Sequence, residues 1–177
     1  MTLSSNAGSS PSPPRECGTC TLCCKLMYIP EYNSPGGVWC SQCAQGVGCR
    51  VYATRPEPCR QFACGWLSDP TTPIEWKPIH SKIVLYLGGP NNTLYVNVDP
   101  GSPQAWRKAL YFDRLRLWAK ELLNKDRHVV VLVREFATLV LPDETIPMGT
   151  LKSGDSFKVH KTYGATGLQC RVEMIRP

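Results

Sequence analysis

The feature of this 177-residue chain that most constrains its fold is a concentration of cysteine near its N-terminal end. Nine of the ten cysteines lie between Cys17 and Cys64, and only Cys170 lies outside that stretch. Proline and glycine interrupt the same stretch, for example at Pro30 and at residues 35–37. Because such a segment cannot bury enough apolar surface to offset its loss of conformational entropy, we expect bonds between sulfur and metal to hold it in place.

The spacing of these cysteines is typical of metal ligands. The first run reads C-x2-C-x2-C-C, and another C-x2-C pair follows it. A C-x2-C pair allows two sulfurs to converge on one ion, and thiolates favour zinc and iron–sulfur centres over hard cations. The predicted metal ligands are Cys17, Cys20, Cys23, Cys24, Cys40, Cys43, Cys49, Cys59 and Cys64.

The adjacent pair Cys23 and Cys24 limits how these ligands can be shared. Because neighbouring side chains usually diverge, the pair predicts either two separate ions or one polynuclear centre. Zinc is the metal we expect, and iron or an iron–sulfur cluster is the alternative. The first three cysteines match a ferredoxin run, but Met27 stands where that run has its fourth ligand. The fourth ligand of an iron–sulfur centre would therefore have to come from a distant part of the chain, such as Cys59 or Cys64.

Three segments together resemble the CxxCxxCC cysteine-cluster family, a YkgJ-like domain described as zinc- or iron-chelating. They are the run over 17–24, the Gly-Cys-Arg-Val-Tyr stretch over 48–52, and the Arg-Pro-Glu-Pro-Cys-Arg-Gln-Phe-Ala-Cys stretch over 55–64. The resemblance covers residues 15–67 and implies about eight metal-ligating cysteines. By position these would be Cys17, Cys20, Cys23, Cys24, Cys49, Cys59 and Cys64, with either Cys40 or Cys43.

The residues outside the cysteine run favour a cytoplasmic protein that does not enter membranes. No apolar stretch reaches the length of a membrane-spanning helix. Residues 1–14 are rich in Ser, Pro and Asn and lack the parts of a signal peptide, so we expect a disordered leader there. Cytoplasmic thiols stay reduced, which favours metal ligation over disulfides. The net charge of +6 is too modest to indicate nucleic acid as a partner.

The predicted fold class is α+β. A metal-stapled module over 15–67 is followed by residues 68–177, packed with it as a mostly antiparallel sheet with one long helix. Ser102 and Pro103 suit the helix start, and the helix is predicted to end near Asn124. Its apolar stripe is Tyr111, Leu115, Trp118 and Leu122. The strands are predicted over 81–87, 93–99, 129–134, 137–141, 156–161 and 168–175.

Other residues beside the cysteines carry weaker indications. Trp39 and Trp66 flank the cluster and are expected to shield it from water. Arg55 and Arg60 would either offset the negative charge of bound thiolates or lie on the surface as solvated charges. Cys170 is expected to be a small buried apolar residue of a strand rather than a ligand.

No catalytic set emerges from the sequence. We find no hydrolase elbow, phosphate loop, dinucleotide fingerprint or paired His–Glu zinc motif. Three functions stay open. The first is a metal-binding protein with a structural, storage, delivery or sensing role. The second is an iron–sulfur redox protein or enzyme. The third is a zinc-stapled module that contacts protein or RNA, although the sequence names no protein partner.

Overall fold

The fold is taken from a computed structural model, which describes residues 15–89, 91–152, 154–164 and 167–177. The leader predicted over residues 1–14 lies outside the described residues. The described chain contains both helices and strands, with a mostly antiparallel sheet and one long helix. The predicted α+β class is therefore confirmed. None of the helices in these residues is long and apolar enough to cross a membrane.

A five-stranded sheet forms the centre of the molecule, and its strands follow one another in chain order. Neighbouring strands pair antiparallel except for the second and third, which run parallel. We number them after two short strands of the cysteine segment described below. They are β3 Ile83–Gly88, β4 Thr93–Val98, β5 Val129–Val133, β6 Phe136–Val140 and β7 Thr145–Thr150.

The long helix, Ala109–Leu123, makes the crossover between the parallel strands β4 and β5. Its predicted stripe faces the core, with Tyr111 and Leu115 buried, and Asn124 caps its C-terminal end as expected. The predicted start at Ser102 is wrong. Residues Ala105–Arg107 form a 3₁₀ turn that buries Trp106, and extended backbone at Lys108 separates this turn from the helix.

Strand β7 was not predicted, because Pro147 and Gly149 interrupt its sequence. Proline cannot donate a hydrogen bond to a partner strand, and it is therefore tolerated mainly at the edge of a sheet. β7 is an edge strand, and the pairing register shifts next to Ala137 and Thr138, opposite these two residues. The six predicted strands are all present, with bounds that differ from the prediction by a few residues.

Different layers cover the two faces of the sheet. On one face, Val129 and Val131 pack against the long helix, Trp76 and Trp106. On the other face, Val130 and its neighbours pack against a separate hairpin of two strands, β8 Ser156–Gly164 and β9 Gly167–Ile175. Alternate residues of a strand point to opposite faces, so β5 is buried on both.

The cysteine segment lies on both faces of the edge strand β3. Leu22 and Leu26 pack against Val84 on one face. Trp66 shares a core with Leu85 on the opposite face. The amide of Asn97 donates to the backbone oxygen of Leu26 at 3.2 Å, on the first of these faces. The segment is thus attached to the sheet by packing at its beginning and at its end.

The regular elements of the cysteine segment are short. They are α1 Cys23–Leu26, a 3₁₀ turn Pro30–Tyr32, β1 Cys43–Ala44, β2 Gly48–Cys49, a 3₁₀ turn Tyr52–Thr54, α2 Glu57–Gln61 and α3 Gly65–Ser68. A 3₁₀ turn Ile74–Trp76 and α4 Pro78–Ser81 then lead into β3, and the long helix is α5. Since these elements are short, backbone hydrogen bonds in turns determine where most of the cysteines lie.

Candidate metal centre

Four cysteines line one cavity beside the edge strand β3. The cavity measures about 30 Å³, and its other lining residues are Phe62, Trp66, Leu67 and Pro78. The four cysteines, called the first cysteine group below, are Cys17, Cys20, Cys23 and Cys64. Three come from the C-x2-C-x2-C run, and the fourth returns from 41 residues further along the chain.

A tight turn shapes the C-x2-C pair at the start of the first cysteine group. The backbone N–H of Cys20 donates to the oxygen of Cys17 at 3.0 Å. Gly18 has a φ of 55°, in the left-handed region that glycine adopts readily. This turn places the two side chains at the wall of the same cavity.

Arg15 ties the start of the segment to its end, where Cys64 lies. Its guanidinium donates to the backbone oxygens of Trp66 at 2.6 Å, Asp69 at 3.1 Å, Pro70 at 2.7 Å and Thr72 at 2.7 Å. Arg15 therefore holds the loop that follows Cys64 next to the turn that begins at Cys17. Arg15 was not predicted as a functional residue, because its partners are backbone atoms that carry no sequence signal.

The remaining five cysteines gather around Ile29, Tyr32 and Trp39 and are called the second cysteine group. Four of them pack in one cluster, and the fifth faces a member of that cluster across the β1–β2 pair. They are Cys24, Cys40, Cys43 and Cys59, and Cys49 opposite Cys43.

Backbone bonds hold the second cysteine group together. The N–H of Cys43 donates to the oxygen of Cys40 at 3.0 Å, the same turn that closes the first pair. The N–H of Cys40 donates to the oxygen of Cys24 at 2.9 Å. The hydroxyl of the buried Thr21 accepts from the N–H of Gly46 at 3.1 Å and so anchors the β1–β2 turn. Thr21 is a further residue that the sequence analysis missed.

The adjacent residues Cys23 and Cys24 lie at the boundary of the two groups. Cys23 lines the cavity, whereas Cys24 packs in the cluster with Cys40 and Cys43. The interaction with the Cys23 thiol is the largest cause that raises the pKa of Cys24, and burial adds to it. The two side chains thus belong to different groups and remain neighbours.

Burial and neighbouring thiols raise the pKa of several of these cysteines. Burial raises the pKa of Cys17, Cys59 and Cys64, and the neighbouring thiols raise it further. Burial, together with Cys24, raises the pKa of Cys43 to about 11. Two amides act in the opposite direction, since the N–H groups of Leu67 and Trp66 lower the pKa of Cys64. The thiols of these cysteines would become thiolates only if a cation replaced their protons.

Positive side chains lie near the first cysteine group. Arg55 and Lys77 both lower the pKa of Cys17, against the larger effect of burial. Arg55 also stacks on Tyr52, with its Cζ atom 3.9 Å from the ring centroid. Arg60 instead pairs with the exposed Glu57 at 2.9 Å. Of the two arginines considered in the sequence, Arg55 therefore acts on a cysteine and Arg60 forms a surface ion pair.

None of the ten cysteines, all of which are described, is in a disulfide. Across residues 15–89, 91–152, 154–164 and 167–177, no three or more His, Cys, Asp or Glu side chains stand in positions that could hold a metal ion. The first cysteine group therefore lines a cavity and the second packs in a cluster, but the sulfurs of neither group are arranged around a metal position. Cys170 lies half-buried against the β8–β9 hairpin core, away from both groups.

The two flanking tryptophans lie where shielding was expected. Trp66 is buried and lines the cavity of the first cysteine group. Trp39 packs against the second cysteine group.

No protein-family model, curated protein or solved structure matches this chain. The resemblance to the CxxCxxCC cysteine-cluster family therefore stays a prediction.

Proposed function

We propose that this chain is a metal-binding protein that takes up zinc through residues 15–67, with one ion in each cysteine group. The observation that carries the proposal is the convergence of Cys17, Cys20, Cys23 and Cys64 on one cavity from two distant parts of the chain. Four thiolates are one of the common ligand sets of a structural zinc ion. The second cysteine group offers five cysteines for four ligand positions.

Zinc is the metal we expect, because four thiolates are a common ligand set of a structural zinc ion. An iron–sulfur redox role is the alternative, and the colour and absorbance of the purified protein would reveal it.

The role we infer is structural. Metal would join the start of the cysteine segment to its end, beside the two places where the segment packs on β3. Side-chain rotation would bring the sulfurs around the ion. We also place the chain in the cytoplasm, where its free thiols would stay reduced.

Elemental analysis of protein purified without added metal tests the proposal. We expect about two zinc ions per chain, since each tetrahedral ion takes four sulfurs. Cys64→Ser should lose the ion of the first cysteine group. The second group has one cysteine more than an ion needs, so the double variant Cys40→Ser, Cys59→Ser should lose its ion. Cys170→Ser is the matched control and should keep both. A folded, metal-free protein whose thiols are all titratable would contradict the proposal.

A further inference from the structure

Trp66 is a residue of the cavity wall in the first cysteine group, and its indole carries a buried hydrogen-bond donor. The residue is only 7% exposed, and it lines this cavity with the four cysteines. Its indole Nε1 is inaccessible to solvent and has no hydrogen-bond partner among the described residues. An unsatisfied buried N–H destabilises a protein, and an acceptor that the bare chain does not supply is one explanation for such a group.

The wall of the cavity indicates which acceptor would serve. Phe62, Leu67 and Pro78 line it with apolar side chains, and the remaining side chains are the four cysteines. A neutral thiol is a weak acceptor, whereas a thiolate sulfur is an anionic one that forms stronger hydrogen bonds. The indole N–H would therefore gain its partner when metal replaces the thiol protons.

Two cations lie over the same indole ring. The Cζ atom of Arg15 and the Nζ atom of Lys77 are each 4.7 Å from the ring centroid of Trp66. A cation on an aromatic face draws electron density toward itself, which makes the indole N–H a better donor. The same charges favour the negative charge that four thiolates would place in the cavity.

We propose that the indole N–H of Trp66 donates a hydrogen bond to a thiolate sulfur of the first cysteine group when a metal ion is bound there. This inference rests on the proposed function and adds a positioning residue to it. The hydrogen bond would fix the orientation of that sulfur and reduce its negative charge. Both effects would slow loss of the ion.

Nuclear magnetic resonance on the native chain tests this directly. The protein is labelled with ¹⁵N-tryptophan, and ¹¹³Cd²⁺ is added as the probe ion. Five indole signals are expected from the five tryptophans. Trp66→Phe assigns the Trp66 signal, and Trp39→Phe assigns that of the tryptophan in the second cysteine group. We expect the Trp66 indole proton to move downfield and to show coupling to ¹¹³Cd through the sulfur.

A kinetic measurement supplements the spectrum. Cadmium should leave the first cysteine group of Trp66→Phe about tenfold faster in the presence of a chelator, the effect of about one hydrogen bond to a charged group. Trp39→Phe should release it at the native rate. Thermal unfolding of both variants identifies any general loss of packing. Coupling of an indole proton to ¹¹³Cd in the native chain can be detected before that signal is assigned.

The outcomes separate the two proposals. Cadmium binding without any response of the Trp66 indole signal would overturn the hydrogen bond and leave the proposed function standing. An unchanged release rate in a folded Trp66→Phe variant would do the same. Failure of the native chain to bind cadmium would overturn the proposed function, and this inference with it.

Discussion

Lys25 and Asp99 form an ion pair of 2.6 Å between the cysteine segment and the end of β4, with side chains only 17% and 13% exposed. Lys25 lies in α1, directly after the adjacent cysteines, and Asp99 follows the last residue of the strand. The pair joins the short helix that carries Cys23 and Cys24 to the sheet. It therefore couples the stability of the sheet to the position of the thiols.

We expect Asp99→Asn to lower the free energy of unfolding by about 2 kcal/mol, because it removes a hydrogen bond between charged groups. Burial raises the pKa of Asp99, but the bond from Lys25 and the N–H of Gly101 outweigh it, and the pKa falls below its ordinary 3.8. The stability that Asp99 contributes should be complete above the pKa that this carboxyl has in the unfolded chain. It should be lost as the pH falls through the lower pKa of the folded chain.

Urea denaturation at several pH values measures this difference. Asp143→Asn is the matched control, since Asp143 is 97% exposed in its pair with Arg116 and should change stability by less than about 0.5 kcal/mol. A constant difference between the native chain and Asp99→Asn down to the most acidic pH would contradict the assignment.

Arg15→Ala should destabilise the protein by about 2–3 kcal/mol, because one guanidinium donates to four backbone oxygens. It should also weaken metal binding by the first cysteine group, since the loop after Cys64 would no longer be held beside Cys17. Thermal unfolding and metal titration measure the two effects. Arg60→Ala, which breaks an exposed ion pair, is the control and should change neither.

Zinc binding should release protons and strengthen as pH rises. The raised pKa values of Cys17, Cys43, Cys59 and Cys64 mean that these thiols are protonated at neutral pH. Each must lose its proton to bind, so the logarithm of the binding constant should rise by up to about four per pH unit for a four-thiol centre. Calorimetry in buffers of different ionisation enthalpy counts the protons. Zinc binding without proton release would contradict thiol ligation.

Chelation should loosen the cysteine segment before the sheet. Without metal, residues 15–67 depend on a few buried contacts, such as those of Leu22 and Leu26 with Val84. The centre of the sheet keeps its core, since Val96 and Val131 are at most 1% exposed. Hydrogen exchange followed by mass spectrometry, with and without a chelator, should show faster exchange at Cys40 and little change at Val131. Equal protection of the segment in both conditions would argue against a structural ion.

Local patterns predicted most of the sheet. The apolar run at Val129–Val133 and the stripe through Tyr111 and Leu115 are strong signals, and both elements formed as expected. The predicted helix start was wrong because Ser102 and Pro103 are as suitable for a turn as for the first residues of a helix. A 3₁₀ turn that buries Trp106 forms there instead. The residue pattern of a single element carries no information about such a tertiary contact.

The division of the cysteines could be predicted only in part. The adjacency of Cys23 and Cys24 indicated that one ion would not take both. Which distant cysteines lie near each of them depends on the path of the chain between the two ends of the cysteine segment. The hydrogen bond from Arg15 to Trp66 and the packing of Trp66 against Leu85 determine that path near Cys64. Neither contact has a spacing that could be read from the sequence.

The attachment of the cysteine segment to β3 has a consequence for synthesis of the chain. A ribosome adds about 5–20 residues per second from the N-terminal end, so all nine clustered thiols are made before Val84 and Leu85. For some seconds the nascent thiols have no sheet to pack on and face the metal ions and oxidants of their surroundings directly. If the proposed ions bind in that interval, the segment is ordered before the strand on which it packs exists.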